Sequence, residues 1–92
     1  MSTTLEAVRA EALFASMLQS SQRPADEEVR AAVAMTLRRL GSQGCAALVA
    51  GEFGDHPEIA VARMCWALAR IRSAYATQWE VSQTLVSVAL AG

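Results

Sequence analysis

The run Val49-Ala-Gly-Glu-Phe-Gly-Asp-His-Pro-Glu-Ile-Ala-Val-Ala-Arg63 constrains the fold more than any other part of this chain. Gly54 stands where a helix can stop. Pro57 stands where the next can start, because the first turn of a helix has no use for the N–H that proline lacks. Alanine, leucine and arginine dominate on both sides, and all three favour helix. The chain is therefore expected to turn a sharp corner here between two helical rods. Asp55 and Glu58 have capping-box spacing, which places a helix start just after the corner.

The remaining periodicities predict an all-α domain over residues 1–92, a small bundle of four to five helices. The first helix is expected over 4–19, opened by Thr3 and Glu6 and followed by a polar loop to residue 23. Its apolar stripe is Leu5, Val8, Ala12 and Ala15, widened by Leu13, Phe14, Met17 and Leu18. The second is expected to open at Pro24, with Asp26, Glu27 and Glu28 near its start and Arg38 and Arg39 near its end, as the helix macrodipole favours. Val29, Val33, Leu37 and Leu40 form its core face, and Gly41 ends it. A short helix, 42–53, presents Cys45, Leu48, Val49 and Phe53. The fourth, about 57–76, carries two apolar stripes. Val61, Met64, Cys65, Leu68, Arg72 and Tyr75 form the stripe expected in the core. Ile59, Ala62, Trp66 and Ala69 form a neighbouring one that calls for a partner. Thr77 and Glu80 open a fifth helix, Trp79 to Leu90, with Val81, Leu85 and Val88 inward. The organisation is thus residues 1–23, a core over 24–76, and a C-terminal helix over 77–92.

Composition narrows the function classes. All eight basic residues are arginine, against nine acidic ones. Overall charge is too close to neutral for the whole chain to act as an electrostatic nucleic-acid binder. Its distribution is uneven: residues 1–29 sum to −3 and residues 30–76 to +3. The basic excess coincides with the helical corner. The richness in alanine, arginine and glycine resembles that of proteins from high-GC bacteria such as actinobacteria. Two cysteines, Cys45 and Cys65, are too few for a disulfide framework and read as buried free thiols. The N-terminus has no basic region leading into an apolar run, so no signal peptide is expected. No stretch is long enough to span a membrane. These features point to the cytoplasm.

The corner resembles the helix-turn-helix of DNA-binding domains. That motif sets a small residue in its first helix and a glycine four residues later at the turn, and Ala50 and Gly54 have this spacing. Val49 and Phe53 match the buried neighbours, and His56-Pro57-Glu58 with Val61 and Arg63 matches the start of a recognition helix. The resemblance spans roughly residues 26–70 and implies a trihelical unit of 26–40, 43–53 and 57–75. The chain departs from the pattern at Asp55, where an apolar residue is usual. It also sets the next buried position at Val61 rather than Ala60, leaving Glu58, Ala60, Ala62 and Arg63 exposed. On this resemblance the turn residues are Ala50, Gly54, Asp55 and Pro57. Arg63 and Arg70 would face a groove of duplex DNA, and Arg38, Arg39 and Arg72 would touch phosphates. So few cations bind weakly one copy at a time, which favours a homodimer.

Other chemistry finds little support. His56 has no metal-ligand spacing with Cys45, Cys65 or Glu52, and no partner nucleophile. It reads as a surface or capping residue. Asp26, Glu27 and Glu28 read as a solvated first turn, and no glycine-rich phosphate loop is present. Neither a cofactor nor an enzymatic activity is expected. Trp66 and Trp79, the largest apolar side chains, read first as core packing; alternatively they are, with Leu85, candidate interface anchors, since tryptophan is enriched at protein interfaces. The expected function is a small DNA-binding or transcriptional regulatory protein acting as a homodimer. The alternative is a helical protein–protein interaction module that does not touch nucleic acid.

Overall fold

A computed structural model describes residues 2–76 of the chain. Three α-helices occur among them, α1 (Ser2–Ala15), α2 (Asp26–Asp55) and α3 (Pro57–Ala74), with a 3-10 turn at Ser20–Gln22 and no strand. Each helix packs against the other two. The expected helix over 79–90 lies outside the described residues. The expectation of an all-α fold holds for residues 2–76, with three helices there rather than four.

The difference in number comes from Gly41. Sequence reading places a helix stop there and a new helix after it. The backbone does break at Gly41, with φ 72° and ψ 165°, so α2 is two helical segments run together across a kink. One interrupted helix results, with an arm before Gly41 and an arm after it. A positive φ with extended ψ is a region that only glycine enters without strain. Two inward rows therefore join at one kink: Val29 and Val33 before it, Cys45 and Val49 after it, all buried.

The corner between α2 and α3 falls one step later than expected. Gly54 is not the hinge. It lies inside α2 and has no positive φ. The reversal is made by His56 alone, at φ −139° and ψ 66°. Its N–H donates to the Glu52 carbonyl at 2.7 Å, closing α2, and its carbonyl accepts the Ala60 N–H at 2.9 Å, opening α3. Asp55 is the last residue of α2 and caps nothing; the N-cap of α3 is His56, without a side-chain cap bond. Pro57 does occupy the first turn of α3. Ala50 is exposed, so no helix crosses over it.

The other helix ends also shift for identifiable reasons. α1 stops at Ala15 because the Ser16 hydroxyl donates to the Leu13 carbonyl at 2.6 Å. A side chain thereby takes over a backbone acceptor, a habit of serine that ends helices. α2 opens at Asp26 rather than Pro24. The Ala25 N–H donates to Glu28 Oε1 at 3.0 Å, the return half of a capping box.

The core is built largely of small residues. Ala10, Ala12, Ala60, Ala67 and Ala74 are buried beside Leu13, Phe14, Val29, Val33, Cys45, Val49 and Ile71. Phe14 of α1 stacks on Phe53 of α2, with ring centroids 6.1 Å apart. In α3 the inward row is Ala60, Ala67, Ile71 and Ala74. The row read as its core face is split: Met64, Leu68 and Tyr75 pack partly buried against the core, whereas Val61 is 52% exposed and Cys65 and Arg72 are exposed. Small residues let α3 approach its neighbours closely, so the close-packed face is not the one with the largest side chains.

The two glycines make opposite predictions. A Cβ at either Gly41 or Gly54 would meet no atom within 4 Å, so each substitution reports backbone conformation alone. Gly41→Ala is expected to destabilise the fold by about 1–3 kcal/mol. Gly54→Ala is expected to be neutral or to stabilise by up to about 1 kcal/mol, as glycine-to-alanine exchanges in helices do. Urea unfolding of both variants checks the pair. A Gly54→Ala variant less stable than Gly41→Ala would contradict the hinge assignment.

Candidate functional site

The arginines of the expected DNA face divide into two groups. Arg63, Arg70 and Arg72 are held by other parts of the bundle, whereas Arg38 and Arg39 are exposed.

Arg63 is the most engaged. Its Nε–H donates to the Phe14 carbonyl at 2.8 Å. Nη2 donates to the carbonyls of Leu18 at 2.8 Å and Ser16 at 3.1 Å, with a longer contact to Leu13 at 3.4 Å. These carbonyls belong to the C-terminal end of α1 and the segment after it. Such groups lack intrahelical partners and carry the negative end of the helix dipole. A guanidinium fork suits them because it offers several donors in one plane. The same cation lies 5.0 Å from the Trp66 ring centre and 5.6 Å from that of Phe14. Burial pushes its pKa down. Arg63 therefore faces the end of α1, not solvent, which corrects its placement as a groove-facing residue.

Arg70 and Arg72 also act between helices. Arg70 Nη2 bonds Asp26 Oδ1 at 2.7 Å and the Pro24 carbonyl at 3.2 Å. Arg72 donates its Nε–H to Glu6 Oε1 at 2.9 Å, with its side chain 66% exposed. Two arginines without a sequence assignment join this set. Arg30 Nη1 donates to the Ala74 carbonyl at 2.7 Å, capping the end of α3. Arg9 stacks over the Tyr75 ring, 3.9 Å from its centre. Sequence reading missed both, although the absence of lysine was a usable signal: arginine is the residue suited to several carbonyls at once.

The outward side of α3 presents a different surface. Ile59 is 69% and Val61 52% exposed. Ala62, Cys65 and Ala69 are exposed, and Trp66 is half-buried. Ile59, Ala62 and Trp66 border a shallow furrow of about 230 Å³, with Arg63 at its base and Gln19 and Ser20 on its other side. Trp66 packs partly buried against the core at the border of this furrow, while Trp79 and Leu85 lie outside the described residues.

The two cysteines separate. Cys45 is buried, as expected of both, but Cys65 is exposed because it sits on the outward row of α3. Burial raises the Cys45 thiol above its usual range, the charge of Glu11 adds to this, and Arg39 opposes it. His56 is exposed at the corner. Among the described residues no three His, Cys, Asp or Glu cluster to hold a metal ion, and no helix is long and apolar enough to cross a membrane.

No protein-family model, no curated protein and no solved structure matches the chain.

Arg63→Ala strips donors from several carbonyls and is expected to cost about 2–3 kcal/mol of stability. Arg63→Lys, with no fork, should recover less than half of it. Arg38→Ala and Arg39→Ala should stay within about 0.5 kcal/mol of the parent. Urea denaturation distinguishes these, and an unaffected Arg63→Ala variant would remove the clamp from the account. The thiols give a second test. Iodoacetamide should modify Cys65 in the folded protein and reach Cys45 only on unfolding. A raised folded-state pKa at Cys45 gives stability that is complete below the usual thiol range and declines as pH rises through and beyond it. Cys45→Ala should flatten that alkaline decline, measured as Tm against pH.

Proposed function

We propose that this protein is a non-enzymatic helical interaction module that binds another polypeptide through the outward face of α3. The observation that carries this reading is the apolar side of α3 left facing solvent, with Ile59, Val61, Ala62 and Ala69 exposed and Trp66 half-buried at its edge. Exposed apolar surface of this kind marks interaction sites. A tryptophan seated against a guanidinium is a pre-ordered anchor of the type that dominates interface energetics.

Duplex DNA is the second reading, favoured by Arg38 and Arg39. They adjoin one another near the end of the first arm of α2, exposed and without an ion-pair partner among the described residues. It is the weaker reading, because three of the five arginines assigned to a nucleic-acid face already bond backbone or carboxylate groups. Two free cations bind phosphates only weakly and lose the interaction steeply with salt.

A photo-crosslinking amino acid at position 69 is expected to form a polypeptide adduct in cells. The same group at position 38 should form neither a polypeptide nor a nucleic-acid adduct. In mobility-shift assays at low salt, duplex DNA should not be retarded. Retardation abolished by Arg38→Ala with Arg39→Ala, together with no adduct from position 69, would overturn the interaction reading in favour of DNA.

A further inference from the structure

We infer that the polypeptide seated on the outward face of α3 is a second copy of this chain, packed antiparallel about a two-fold axis at the level of Cys65. This rests on the reading that the face binds a polypeptide, and adds the identity and orientation of the occupant.

The order of charges along α3 suits a second copy in this orientation. Glu58, Cys65 and Arg72 are all exposed. Glu58 lies seven residues before Cys65, and Arg72 seven after it. Seven residues are about two helical turns, so the three side chains project along one row. In a two-fold pair, each residue meets whatever lies equally far on the other side of the axis. An axis level with Cys65 therefore sets each Glu58 against the second copy's Arg72, twice over. A parallel pair would set glutamate against glutamate and arginine against arginine. Antiparallel packing also opposes the two helix dipoles.

Arg72 can reach this contact while paired with Glu6: among the described residues its Nε–H alone is committed, and the side chain is 66% exposed. Apolar side chains flank the row, Val61 on one side and Ile59 with Trp66 on the other. Ala62 and Ala69 are short enough for two α3 helices to approach. The furrow between Trp66 and the Gln19–Ser20 turn then receives side chains of the second copy.

The cysteines supply a probe. Cys65 lies beside the axis, and the only other thiol, Cys45, is buried. Sedimentation equilibrium on the full chain should show a concentration-dependent dimer. A short bismaleimide should link two chains through Cys65, and Cys65→Ser should abolish the linkage. Glu58→Arg, which sets two cations face to face, should weaken dimerisation at least about tenfold. Arg72→Glu should do the same by pairing two carboxylates. Mixing these two variants should restore dimers, as each supplies the charge the other lacks; circular dichroism checks that both fold. The wild-type linkage keeps the test decisive even if Arg72→Glu does not fold. A monomer at every concentration would overturn the inference, as would a dimer that fails to link through Cys65. An adduct from position 69 on a different protein, or on residues 77–92 of the same chain, would also overturn it. The different-protein adduct would leave the interaction reading standing, whereas no polypeptide adduct at all would sink both.

Discussion

The bundle depends on one cation placed at the end of one helix. α1 finishes at Ala15, leaving carbonyls at its end and just beyond that no helical N–H can reach, and the partly buried side of α3 delivers Arg63 to them. A lysine there would serve one or two of these acceptors; the guanidinium serves three well and a fourth at longer range. The same bonds join the first helix to the last described one and hold Trp66 at the edge of the outward face through the ring–cation contact. Stability and the proposed interaction surface thus share a residue.

The other arginines extend this logic. Arg30 closes α3, Arg70 ties α3 to the start of α2, and Arg9 and Arg72 join the ends of α1 and α3. A core rich in alanine brings the helices close but buries little area per residue, so apolar burial contributes less than it would with leucine or phenylalanine. Polar ties between helix ends supplement it. They also explain why a basic segment in the sequence does not become a basic face: most of its charge is directed inward, at backbone carbonyls and carboxylates.

Much of the fold is legible in the residues. The Val29–Val33 and Cys45–Val49 rows are inward, Gly41 is a break, and Pro57 starts a helix, as periodicity and capping chemistry imply. The corner between Phe53 and Pro57 is legible as a corner, but not its hinge. Glycine tolerates a positive φ without requiring one, and Gly54 stays helical while His56 takes the turn. The register of α3 is misread for a related reason. Side-chain size points to Val61, Met64 and Leu68 as the core row; Met64 and Leu68 do pack at the edge of the core, but close approach gives the fully buried row to Ala60, Ala67, Ile71 and Ala74 and turns Val61 outward. The candidate site is only half legible: its apolar stripe with Trp66 can be read from spacing, but the role of Arg63 cannot.

By itself, the sequence determined that residues 2–76 are largely helical, roughly where the helices begin and break, and that α3 carries more than one apolar stripe. Those properties are local, set by propensity, capping and period. Only the tertiary structure decided which side of α3 is inside and which arginines are spent. Both depend on distances between segments far apart in the chain: Arg63 finds its carbonyls some forty-five to fifty residues away. A helix can present any of its faces inward, and the selection is made by what the neighbouring helices can accommodate and by which of their backbone groups still need a donor.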